Sequence, residues 1–152
     1  MGGHLSGLWD WTLAAYAQPG VADACLRLQD QHGQNTSLLL WAVWAETADP
    51  DRLARAVDVA RRWEALALSP IRAVRRALKP AFEGIGDSPR EGLREDVKAA
   101  ELRAERVLME ALEAMTPGRG GAPTLTALQA AARAWGPPPP DAALAELAAA
   151  LG

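Results

Sequence analysis

The sequence predicts an all-α protein: a single compact bundle of about six helices that carries a two-helix C-terminal appendage. Three observations support this. Ala, Leu and Arg dominate while Val, Ile, Tyr and Phe are scarce, and unbranched side chains keep more rotamer freedom in a helix. Apolar residues recur at helical spacing, and no alternating run reads as a strand. Proline follows Asp or Ser at Asp49-Pro50, Ser69-Pro70 and Ser88-Pro89, the order of an N-cap and a first-turn proline. No fixed-period repeat is present.

The first helix is expected over 8–17, closed by Pro19-Gly20. A second, over 21–32, stops at Gly33, a natural residue just past a helix end. Asn35 can cap a third over 36–48, and Asp49-Pro50-Asp51 starts a fourth. The two Ser-Pro pairs start a fifth over 70–79 and a sixth over 89–115. In the sixth, Leu93, Val97, Ala100, Ala104, Val107 and Ala111 alternate by four and three, a coiled-coil-like seam that Leu108, Leu112 and Met115 widen. "TPGRGGAP" then reads as a flexible linker. Two weak helices follow, over 124–135 and 141–151, split by "PPPP", which prefers an extended form. The expected organisation is a helical domain over 1–115 that folds alone, with 116–152 as a clasp docked on it or on a second copy.

The chain has 152 residues and 49% hydrophobic content, enough for one domain with a real core. A net charge of −3 points to neither general nucleic-acid binding nor a membrane surface. The lone cysteine, Cys25, excludes an internal disulfide and fits a reducing cytosol. No signal peptide is visible, and the longest apolar run, 38–45, is far below the roughly 20 residues of a membrane span. The start "MGGHLS" matches an N-myristoylation pattern through Gly2 and Ser6, a pattern short enough to arise by chance. The expectation is a cytoplasmic protein with no membrane association.

The aromatic set is skewed: six tryptophans against one Tyr16 and one Phe82. On a helical wheel the first helix is apolar almost all round, with Trp9 and Trp11 flanking a narrow strip at Asp10 and Ala14. The third, with Leu38, Leu39, Leu40, Trp41, Val43 and Trp44, is similar. Two such helices should contact each other and bury Leu13, Trp41 and Trp44, or need a partner to cover one of them. Asp10 then has two readings. As structure, it accepts hydrogen bonds from free backbone amides or an indole N–H. As function, it is the carboxylate of a ligand pocket lined by Trp9, Asp10, Trp11, Tyr16, Gln29, Trp41 and Trp44, suited to a cationic or hydrogen-bond-donating ligand.

Other chemistry is sparse. Cys25 and His32 are seven apart on one helix, beyond direct hydrogen-bond reach, and read as a core thiol and a dipole-favoured histidine. Two histidines without C-x-x-C, H-E-x-x-H or E-x-x-H give no metal site. No Gly-rich phosphate loop follows a strand, so no cofactor and no catalytic residue is implied. Arg72, Arg75, Arg76 and Lys79 have no acid among them and should all face outward, while Ile71, Val74 and Leu78 should form the buried side of their helix. That stripe either binds anions such as nucleic-acid phosphates or lies against the acidic sixth helix, with Glu91, Glu95, Asp96, Glu101 and Glu105.

The stretch "LWDWTLAAYAQPGVADACLRLQDQHGQNTSLLLWAVWA" resembles a family of small, conserved, uncharacterised bacterial proteins. A Leu-Trp-x-Trp start, then Tyr, Pro-Gly-Val, Cys-Leu-x-Leu-Gln-Asp, Gly and a Leu-rich segment with two tryptophans carry the match. The resemblance implies a bacterial cytosolic setting and transfers no catalytic residue. Three functions stay open: a non-enzymatic protein-interaction or adaptor protein, with another protein or a second copy as partner; a small-molecule binder or enzyme using the tryptophan pocket; and an RNA- or ribosome-associated protein using the basic stripe.

Overall fold

The computed structural model describes residues 7–152; the Gly2 and Ser6 pattern lies outside the described residues. In chain order the helices are α1 (Leu8–Tyr16), α2 (Val21–His32), α3 (Thr36–Ala45), α4 (Pro50–Trp63), α5 (Ser69–Ala77), α6 (Asp87–Ala114), α7 (Thr124–Trp135) and α8 (Asp141–Leu151), with a π turn, Glu64–Leu68, joining α4 to α5. The all-α class is as expected. Among the described residues there is no strand, and no helix is long and apolar enough to cross a membrane.

The centre is α3. Asn35 starts it, its side chain accepting from Leu38 N–H at 2.9 Å, and all of its residues except Val43 are buried. A helix without a polar face must be covered on every side: α1, α2, α4, α6 and α7 all pack on it. Burying Leu38, Leu39 and Leu40 contributes about 1.5–3 kcal/mol each, before the entropy of ordering them. The helix ends at Ala45, three residues earlier than expected, because Glu46 turns left-handed at φ 50°.

The segment after α6 is not a free linker. Gly120 N–H donates to Ala45 O at 2.9 Å and Ala122 N–H to Glu46 O at 2.8 Å, satisfying carbonyls that a helix end leaves without partners. Only glycine fits this approach, since a Cβ at Gly120 would lie 2.5 Å from Glu46 O. From there α7 lies on α3 and α4, and α8 on α2 and α7. Trp135 is buried; its Nε1–H donates to Gly33 O at 2.8 Å, and Arg61 stacks over its ring at 4.8 Å. Arg27 pairs with Glu146. One continuous set of buried residues runs from Leu8 to Leu147, so the core crosses the boundary expected near residue 115.

The first helix is not buried all round. Leu8, Thr12 and Ala15 face inward, while Leu13 is 48% exposed, against the expectation that it joins the core. Trp41 and Trp44 are buried as expected, and α1 does pack on α3. Asp10 is exposed, because the α1 N-terminus already has an anion: Leu8 N–H donates to Glu113 of α6 at 2.5 Å. Other indoles bond elsewhere, buried Trp41 Nε1–H to Thr116 Oγ1 and half-buried Trp63 Nε1–H to Ala104 O, both at 2.8 Å.

The fourth and fifth helices form one run. Ser69 is no cap; its N–H donates back to Glu64 O in the π turn. Proline has no N–H and its ring crowds the carbonyl four residues back, and a π turn is one way for a helix to carry on past such a residue. Ser88 is not a cap either, since α6 begins at Asp87 after Gly86. The buried face of α6 holds Arg90, Glu101, Ala104, Leu108, Met109 and Leu112. Ala104, Leu108 and Leu112 of the expected seam are buried, whereas its Leu93 and Val107 are exposed.

Candidate functional site

The candidate tryptophan pocket does not assemble. Trp41 and Trp44 belong to the core, while Trp9 and Trp11 pack half-buried on its edge; Arg106 lies over the Trp9 ring at 5.7 Å. Tyr16 and Gln29 instead meet in a cleft between α1, α2, α5 and α6. The α3 residue Thr36 lies at its base, and Cys25, Arg75, Lys98, Glu101 and Glu105 complete the polar lining around about 330 Å³.

The basic stripe is divided. Arg72 and Arg75 turn inward, with side chains only 11% and 22% exposed, against the expectation that all four cations face out. Arg75 Nε donates to Glu101 at 2.5 Å. Arg72 donates to Glu64 at 3.2 Å and lies 3.4 Å from Glu101, an ion pair without hydrogen-bond geometry. Paired and hydrogen-bonded charges are the form in which buried ions are tolerated. Val74, expected inside, is exposed. Arg76 reaches Asp30 at 3.4 Å on the surface, and Lys79 is exposed.

Burial sets the chemistry of the cleft. Desolvation pushes the Cys25 thiol up to about 11, opposed by the nearby Tyr16 hydroxyl. Cys25 is therefore a thiol at neutral pH, not the thiolate a nucleophile requires. Desolvation also pushes Tyr16 well above its ordinary range; its hydroxyl is within hydrogen-bonding reach of Thr36 and Cys25. Glu105 is pushed up to about 7, first by burial and then by the negative charge of Glu101, with Arg72 and Arg75 pulling the other way. The arrangement can hold a proton on Glu105 and offer hydroxyl, amide and carboxyl groups to a ligand. Among the described residues no three His, Cys, Asp or Glu converge to hold a metal ion.

Glu105 and Thr36 were not among the candidates from sequence. The signal for Glu105 was its position. It lies one turn after Glu101 and beside Ala104 and Leu108, where an acid on the flank of an apolar seam is harder to explain by solvation than one on the open face.

A second concavity lies on the other flank of α6. Val59, Trp63, Leu66, Val107, Leu108 and Ala111, with Arg62 at the edge, form an apolar groove of about 180 Å³. Leu66, in the π turn, is 73% exposed.

No curated protein and no solved structure matches the chain. Residues 7–112 match the family described as "Protein of unknown function (DUF2390)". The match runs from α1 to nearly the end of α6 and includes both the cleft and the groove, while α7 and α8 follow it. The chain belongs to the DUF2390 family.

Proposed function

We propose that this protein is a non-enzymatic helical adaptor of the bacterial cytosol that binds another protein through the groove between α4, the π turn and α6. The observation behind this reading is the exposed apolar side chain of Leu66 beside the half-buried Trp63, over a floor of Val59 and Leu108. At about 180 Å³ the groove falls below the ~300–1,000 Å³ of small-molecule pockets. It suits the anchor side chain of a helix laid into a groove, read through residues three and four apart. Arg62 on one wall is held in an exposed pair with Asp58 at 3.0 Å, which water keeps weak, and Arg103, one turn before Val107 on the other, is exposed, so the partner is an amphipathic helix with carboxylates beside its apolar stripe. A buried lone cysteine accords with a cytosolic setting.

The nucleic-acid reading has less support, because Arg72 and Arg75 are engaged by Glu64 and Glu101. The small-molecule reading gains a specific site, treated below.

Leu66→Asp and Val107→Asp put charge into the groove at exposed positions and should leave the melt unchanged. Protein captured from host lysate by a photoreactive residue at exposed position 103 should be lost about tenfold or more when either groove substitution is added. Equal capture by the variants refutes the groove as the interface. A mass that rises with concentration in the wild type and not in the variants would make the partner a second copy.

A further inference from the structure

We propose that the cleft between α1, α2, α5 and α6 binds a small zwitterion, a molecule with an ammonium or guanidinium at one end and a carboxylate or other anionic group at the other. The cleft and the adaptor groove lie on opposite flanks of α6, so the two readings stand or fall separately.

Glu105 receives the cationic end. Its carboxyl lines the cleft, and among the described residues no ion pair or hydrogen bond engages it, since Arg72 and Arg75 are held by Glu64 and Glu101. Burial disfavours the ionised form of this carboxyl, and a cation that meets it favours that form. Lys98 lies at the other end, seven residues earlier on the same face of α6, about 10 Å along the axis at 1.5 Å per residue. Its partner Glu95 is mostly exposed, at 3.1 Å, a pair that water keeps weak. Arg75 also lines the cleft, but its charge is met by Glu101. Between the ends, Tyr16, Gln29 and Thr36 offer hydroxyls and an amide, and Ala22 and Leu26 form an apolar wall. A volume of about 330 Å³ is at the low end for small-molecule sites and suits a short chain, not a nucleotide.

The groups that face Glu105 are Tyr16 of α1, Cys25 of α2, Arg72 and Arg75 of α5, and Glu101 on its own helix. Tyr16 and Cys25 keep their protons between pH 6 and 8, because burial pushes both up. Glu105, pushed up to about 7, changes charge within that interval. An ammonium selects its ionised form, so affinity rises about tenfold from pH 6 to pH 8, the ratio of the ionised fractions.

The test titrates 6-aminohexanoate into the full-length ¹⁵N-labelled protein, with hexylamine and hexanoate as single-charge controls. Saturable amide shifts should cluster at Tyr16, Cys25, Gln29 and Thr36, with the zwitterion binding at least about fivefold tighter than either control. The gain with pH should vanish in Glu105→Gln, and Lys98→Met should bring the zwitterion down to the affinity of hexylamine. If Glu105→Gln does not fold, the pH dependence of the wild type and the Lys98→Met titration decide. Absence of saturable shifts with all three probes, a control that matches the zwitterion, or unchanged binding in both variants overturns the proposal.

Discussion

Trp135 ties three helices together, and replacing it tests whether the C-terminal helices are part of the core. Its side chain is buried at the end of α7, bonds to the carbonyl of Gly33 just past α2, and lies under Arg61 of α4. Truncating a buried aromatic to alanine costs about 3–5 kcal/mol. Phenylalanine keeps most of the apolar contact and removes the N–H. That change costs about 1 kcal/mol for the hydrogen bond and up to about 1 kcal/mol more through the weaker cation–π contact. For a chain of this size each kcal/mol moves the midpoint by roughly 2–4 °C. Trp135→Ala should therefore melt roughly 6–20 °C lower and Trp135→Phe roughly 2–8 °C lower. Circular dichroism melts, with urea titrations to check that the slope is unchanged, give both numbers. A loss under about 1 kcal/mol for Trp135→Ala would mean that the end of α7 does not dock on Gly33 and Arg61 in solution.

Three further outcomes follow from the packing. Glu101→Ala leaves Arg72 and Arg75 facing a low-dielectric site without their shared acid and should cost about 3 kcal/mol in urea unfolding, whereas Arg76→Ala, which breaks a surface pair, should cost less than about 1 kcal/mol. Because burial pushes Glu105 from its ordinary 4.5 up to about 7 when folded, the stability tied to its proton is complete below about pH 4.5 and lost as pH rises through about 7; the urea midpoint of the wild type should fall relative to Glu105→Gln between pH 5 and 8, and a constant difference refutes this. A chain ending at residue 115 uncovers the face of α3 that meets Ala127, Leu128 and Ala131, so it should lose its cooperative melt; a sharp melt would show that the N-terminal part stands alone.

Helix ends were legible where a residue with a special role stands at the end. Asn35 and Asp49 cap as their types demand, and Gly33 takes φ 63° where the chain must turn left-handed. The face of α5 was not legible, because a π turn precedes it. Leu53, Ala56 and Ala60 point inward on α4, and the same α phase continued without interruption would bring in positions 64, 67, 71, 74 and 78. The extra residue of the π turn shifts this by one, to Leu68, Arg72 and Arg75. Nothing in the local propensity of Glu64–Leu68 announces such a slip. The two arginines so turned meet Glu101 of α6, an acid on the face that also buries Ala104 and Leu108. Of the cleft, Tyr16 and Gln29 were legible. The convergence of α1, α2, α5 and α6 around the cleft, which adds Cys25 and Glu105, is a tertiary arrangement that no single helix encodes.

The way α3 is roofed has a consequence for how the chain is made. Its last carbonyls wait for Gly120 and Ala122, and its broadest cover comes from α7. From the synthesis of Ala45 to that of Trp135, 90 residues must be added, which takes roughly 5–20 s at ordinary translation rates. For that interval Leu-Leu-Leu-Trp-Ala-Val-Trp emerges with no permanent neighbour on one side. The nascent chain is then most open to aggregation or to a chaperone, and an arrest or cleavage before residue 135 would release a product with its most apolar helix bare.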